Sequence, residues 1–106
     1  MMLRELAHAR AGDKGNISNV SVIAYDPANY PLLCELLTPE RIKFHFADIV
    51  MGDVLRYELP QIGALNFVMH GALNGGVTKS LALDAHGKSF SSVMLEIEIV
   101  LPTQND

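Results

Sequence analysis

The stretch His8-Ala-Arg-Ala-Gly-Asp-Lys-Gly-Asn-Ile-Ser-Asn19 holds the residue types best suited to chemistry. Two glycines, Gly12 and Gly15, bracket an acid and a base, Asp13 and Lys14. Glycine loses more conformational freedom on folding than any other residue, so this pair points to positive φ or to close approach of the backbone to another group. Successive backbone N–H groups in such a turn line a concavity that accepts an anion, and the Lys14 ammonium adds a point charge beside it. The same spacing also fits a plain charged turn in which Asp13 and Lys14 face water.

His8, Arg10, Asp13, Lys14, Asn16 and Asn19 form or flank this loop, and Asn66 and His70 are the remaining polar candidates. If Phe67 and Met69 face a core, Asn66 and His70 share the other face of their strand, about 13 Å apart over four extended residues. One small group does not touch both. A second glycine pair, Gly75 and Gly76, presents N–H groups at a helix start in one reading, as a second anion-binding element. The ligand-binding candidates are therefore Arg10, Gly12, Asp13, Lys14, Gly15, Asn16, Asn19, Asn66, His70, Gly75 and Gly76.

Other chemistries lack their residues. The histidines at 8, 45, 70 and 86 have neither i, i+4 spacing on a helix nor cysteine partners, so no metal is expected. Neither a Gly-x-Ser-x-Gly elbow nor a Gly-x-Gly-x-x-Gly turn is present, and no cofactor is expected. Gly71-Ala-Leu-Asn-Gly-Gly76 has the look of a phosphate loop, but Lys79 and Ser80 follow two residues too late to wrap onto phosphates. Cys34 is the only cysteine and sits in Leu32-Leu33-Cys34-Glu35-Leu36-Leu37, which reads as a small buried hydrophobe. A net charge of −4 without a basic run argues against nucleic acid. With no apolar run of membrane-spanning length and no leader pattern, the expected compartment is the cytoplasm.

The elements that must position these residues read as one folding unit over residues 1–106. Met2 to His8 is a strand candidate. Val20, Val22 and Ala24 alternate with Asn19, Ser21 and Ile23 in a strand that ends at Asp26-Pro27. Pro31 places the start of a first helix near Tyr30, with Asn29 as cap and Leu33, Leu36 and Leu37 on one face. Thr38-Pro39-Glu40 starts a second, in which Ile42, Phe46, Ile49 and Val50 keep helical spacing to a stop at Gly52. Leu55, Tyr57 and Leu59 then alternate with Val54, Arg56 and Glu58 up to Pro60, and Leu65, Phe67 and Met69 repeat the pattern. Residues 76–83 read as a helical piece, with a hairpin bent near Gly87 as the alternative. In a last strand Val93, Leu95, Ile97 and Ile99 point one way and Glu96 and Glu98 the other. The order implies an α+β fold, a ferredoxin-like βαββαβ sandwich with an additional N-terminal strand and helices on one sheet face.

The motif from His8 to Asn16 with Asn19 after it resembles the AtuA-like family, named for acyclic terpene utilisation. So do Leu37-Thr38, Arg56-Tyr57-Glu58-Leu59-Pro60, Asn66-Phe67, Gly75-Gly76, Ser80-Leu81, Asp84-Ala-His-Gly-Lys88 and Leu95-Glu96-Ile97. Long members carry a ferredoxin-fold domain at their C-terminal end, and the chain is similar to a stand-alone version of it. It departs from the usual pattern at Ala11, where serine is common, and at Asn16, where aspartate is frequent. The resemblance implies an accessory subunit that works with a separately encoded large AtuA-like protein in catabolism of acyl-CoA thioesters. Two other functions fit the residues: an oligomeric binding module without chemistry, or an autonomous enzyme. In the latter, Lys14 polarises a thioester or carboxylate and Asp13 or His70 moves a proton.

Overall fold

The computed structural model describes residues 1–14, 17–47, 50, 52–71 and 90–100, with Asp13 and Lys14 described by backbone alone. A 3-10 turn at Leu3–Glu5 leads into β1 (Ala7–Lys14), which pairs antiparallel with β2 (Ile17–Ala24). The register runs from Ala7 opposite Ala24 to Lys14 opposite Ile17. After β2 the Asp26 side chain accepts from the Ala28 N–H at 3.0 Å, and α1 (Tyr30–Leu36) follows with Pro31 in its first turn, where no donor is needed. Asn29 stands at the cap position without a side-chain hydrogen bond. Thr38 caps α2 (Pro39–His45) by accepting from the Arg41 N–H at 3.1 Å. Then come β3 (Val54–Leu59), a turn closed by Gly63 at φ 64°, β4 (Ala64–His70) and α3 (Phe90–Met94).

The sheet order is β1-β2-β4-β3 and every pairing is antiparallel. β2 and β3 therefore run the same way with β4 between them, the split βαβ arrangement of a ferredoxin-like α+β fold. Val20, Val22, Leu65, Phe67 and Met69 are buried with Leu33, Leu37, Ile42, Phe46 and Met94, so the strand alternation of β2 and β4 and the helix faces meet in one core. α1 lies against β4, α2 against β3, and α3 against β1 and β2.

Several expectations are corrected. The first strand begins at Ala7 and continues through Gly12 to Lys14, so the glycine loop is largely paired strand. Gly12 has no positive φ, and a Cβ there would meet only Asn19 Nδ2, at 3.5 Å. α2 ends at His45, not near Gly52, and its end packs on α3: His45 Nε2 pairs with the Val93 carbonyl at 2.7 Å and Phe46 stacks on Phe90 at 5.6 Å. Gly52 serves a different need, since a Cβ there would stand 2.7 Å from the His70 carbonyl oxygen.

The face of β3 is inverted. Val54 is buried, while Leu55, Tyr57 and Leu59 are 42%, 52% and 40% exposed. Arg56 turns to the helix side instead, where its Nη1 donates to the carbonyl oxygens of Cys34 at 2.6 Å and Leu37 at 3.1 Å. Its head satisfies orphan carbonyls at the end of α1. The last strand is replaced over its first half by α3. Met94 and Ile97 are buried three residues apart and Ile99 two further on, so one sequence meets the core first with helical and then with extended spacing. Glu98 bridges Met2, and the Leu3 N–H donates to the Ile97 carbonyl at 2.8 Å. The edge beside β2 belongs to β1. The helix-or-hairpin alternative for residues 76–88 lies outside the described residues.

Candidate functional site

The helices cover one side of the sheet, and the register collects the polar candidates on the other. Arg10 stands opposite Ser21, Ser21 opposite Asn66, and Asn66 opposite Tyr57, so these four form one row across all four strands. The next row is Gly12, Asn19, Val68 and Leu55. His8 lies one row away on the other side, opposite Ile23, and His70 pairs with Ile17 at the far end. Rows repeat every two residues, about 7 Å, and strands about 5 Å apart carry them across. His8, Arg10, Gly12, Asn19, Asn66 and His70 thus share one surface.

The centre of this surface is a small hydrogen-bond network. Asn66 Nδ2 donates to Ser21 Oγ at 2.8 Å and to Asn19 Oδ1 at 3.5 Å. Asn66 was expected to share a face with His70, and the pairing of both with β2 places them so. His70 is held by backbone: its carbonyl accepts from the Gly52 N–H and its N–H donates to the Asp53 carbonyl, each at 2.9 Å. The His8 ring stacks on Tyr25, with centroids 5.4 Å apart.

Around the network lies apolar area. Ile17 is 38% exposed and joins Leu55, Tyr57 and Leu59, with Val68 and Ile23 half-buried between them. Large apolar side chains gathered on a face that no described element covers mark an interaction surface. Donors and apolar area dominate; no acidic residue occupies an open-face position in the four strands. The arrangement is equipped to hold a negatively charged group or to dock a partner.

The glycine loop is located only in part. Gly12 lies on the open face, Asp13 pairs with the buried Ser18, and Lys14 pairs with Ile17. Gly15, Asn16, Gly75 and Gly76 lie outside the described residues. Ser18 is tied to the hairpin itself, its hydroxyl donating to the Gly12 carbonyl at 3.3 Å. Ser21 and Tyr57 escaped the sequence reading. Ser21 was legible from its alternation with Val20 and Val22, whereas Tyr57 was hidden by the inverted face of β3.

A second polar group sits on the helix side. The Tyr30 hydroxyl is buried without a hydrogen-bond partner among the described residues. Burial, then the neighbouring Cys34 thiol and Glu58 carboxylate, pushes its phenol from 10 up to about 12. Among the described residues no three His, Cys, Asp or Glu side chains converge as metal ligands. No described helix is long and apolar enough to cross a membrane.

Comparison with known proteins adds one positive finding. Residues 1–100 match the family model described as AtuA ferredoxin-like domain. No curated protein and no solved structure matches the chain.

Proposed function

Because the chain belongs to the AtuA ferredoxin-like domain family, with nearly all of its length matched, we propose that it is an accessory subunit of a larger AtuA-like protein in the catabolism of acyl-CoA thioesters of terpenoid or branched acids. Its work is done by docking, and the open sheet face is the surface that docks. The observation that carries this reading is the exposure of Ile17, Leu55, Tyr57 and Leu59 on the side of the sheet away from the helices. In the assembled protein the Gly-Asp-Lys-Gly segment, with Arg10 and Lys14 as its cations, binds an anionic part of the CoA thioester at the β1 edge of the sheet. Residues 1–106 act as one unit, in the cytoplasm, without a cofactor or metal of their own.

The test is co-expression with a large AtuA-like protein from the same organism, followed by size-exclusion chromatography with light scattering and an acyl-CoA turnover assay. The isolated chain is expected to be inert and the pair active. Turnover by the isolated chain, or failure of the two proteins to associate, overturns the proposal.

The same apolar face supports a second reading, a homo-oligomeric binding module without chemistry. Light scattering on the isolated chain separates the two, since only the second requires self-association. An autonomous enzyme is the third reading, and a Lys14→Ala protein with full activity removes it.

A further inference from the structure

We propose that the open sheet face recognises its protein partner through a carboxylate held by Arg10 at the β1 margin, with donors from Asn19 and Ser21 beside it and apolar contact across the rest of the face. This rests on the docking reading above and adds the chemistry of the partner's surface. The two hydrogen bonds from Asn66 Nδ2 decide which donors remain. Ser21 Oγ accepts one of them and keeps its proton to give; Asn19 spends its Oδ1 on the other and keeps Nδ2. Gly12 is opposite Asn19 and has no side chain, and a Cβ there would lie 3.5 Å from Asn19 Nδ2, so β1 leaves that amide open to the outside. The Arg10 side chain is exposed and forms no hydrogen bond or ion pair among the described residues.

Three donors therefore face outward from adjacent positions, one of them a guanidinium whose planar fork matches a carboxylate. The network leaves donors rather than acceptors toward the partner from Ser21 and Asn19, and no acid at an open-face position of the four strands neutralises Arg10. In a chain of net charge −4 this is a local reversal of sign. An open sheet face is broad rather than concave, which suits a protein surface better than an engulfed small molecule. Leu55 and Tyr57, across β2 and β4 from Arg10, and Ile17 on β2 supply the apolar area of the same face, so the charged contact lies at its β1 margin. The partner chemistry is thus an apolar patch on the large AtuA-like protein with one aspartate or glutamate at its margin.

Binding of the chain to a co-expressed large AtuA-like protein is measured by calorimetry at low salt and at roughly ten times that concentration. Arg10→Ala is expected to weaken the complex about thirtyfold or more and to reduce its salt dependence, with Arg10→Lys recovering part of the loss. Gly12→Val, which fills the position beside Asn19 in a residue type that strands favour, is expected to weaken binding without lowering the urea midpoint. Leu55→Asp, checked for folding by circular dichroism, reports on docking alone. If Leu55→Asp breaks the complex while Arg10→Ala and salt leave it unchanged, the carboxylate is overturned and docking stands. If the wild-type proteins do not associate, or Leu55→Asp has no effect, both are overturned. Self-association of the isolated chain that is lost in Leu55→Asp seats a second copy on the face and overturns the proposal as well.

Discussion

Substituting alanine at two glycines should move stability in opposite directions. At Gly52 the new Cβ would lie 2.7 Å from the His70 carbonyl oxygen, 3.0 Å from its carbon and 3.2 Å from the His70 Cβ. The first two neighbours are backbone, so no flexible side chain can yield. Reaching ordinary contact near 3.4 Å requires a separation of about 0.7 Å between the chain at Gly52 and the end of β4. That displacement stretches the Gly52 N–H to His70 carbonyl bond from 2.9 Å past the range of a useful hydrogen bond. Overpacking and the weakened bond together cost about 2 kcal/mol, and the lower unfolded-state entropy of alanine returns roughly 0.5 kcal/mol. Gly12→Ala meets only Asn19 Nδ2 at 3.5 Å, an ordinary contact, at a strand position of negative or extended φ. It should therefore stabilise, by up to about 1 kcal/mol. Urea unfolding of the two variants and the wild type reads both effects, and thermal midpoints should separate by roughly 10 °C. A Gly52→Ala protein as stable as the wild type, or a Gly12→Ala protein destabilised by more than about 1 kcal/mol, would refute the close-approach reasoning.

Tyr30→Phe removes a buried hydroxyl with no hydrogen-bond partner and should raise stability by about 1 kcal/mol at neutral pH, read from the urea midpoint. Because the folded state keeps this phenol protonated up to about 12 and the unfolded state releases the proton from 10, the wild type should lose stability as pH rises across that window. Tyr30→Phe should lose less over the same range. Arg56→Ala should cost about 1–3 kcal/mol, since it strips the Cys34 and Leu37 carbonyls of a charged donor. Glu58→Gln should cost well under about 1 kcal/mol, because its ion pair with Arg56 at 2.8 Å is half in solvent, and chemical denaturation distinguishes the two variants. Thr38→Ala should cost about 1 kcal/mol through the lost cap on Arg41, measurable in the same titration.

β2 and β4 were legible because each is a central strand with one face in the core, so Val20, Val22, Leu65, Phe67 and Met69 carry the period-two signal without competition. β3 was misread because both of its faces hold an apolar or amphipathic series. Leu55, Tyr57 and Leu59 look like the better core, but an edge strand need not bury its larger residues, and Arg56 is tied to carbonyls at the end of α1 that no hydropathy pattern reveals. The closing segment defeats periodicity for another reason. Residues 93–99 alternate in sequence but change from helical to extended geometry at Leu95–Glu96, so a single period cannot describe them.

Of the site, Arg10, Asn19, Asn66 and His70 were recognised by type, and their common face follows from a strand register that only long-range pairing sets. Gly12 was recognised for the wrong property. Its backbone is ordinary strand, and what distinguishes it is the side chain it lacks beside Asn19.

The seam between residues 1–4 and 95–99 has a consequence for how this unit joins a larger polypeptide. Met2 bridges Glu98, and the Arg4 N–H donates to the Leu95 carbonyl at 3.1 Å, which brings residues almost the full sequence apart to one corner. A covalent linker attached before Met1 or after Val100 would leave from neighbouring points. Evolution can therefore append the unit ahead of or behind another domain, or splice it into an exposed loop, with nearly the same tether geometry in each case.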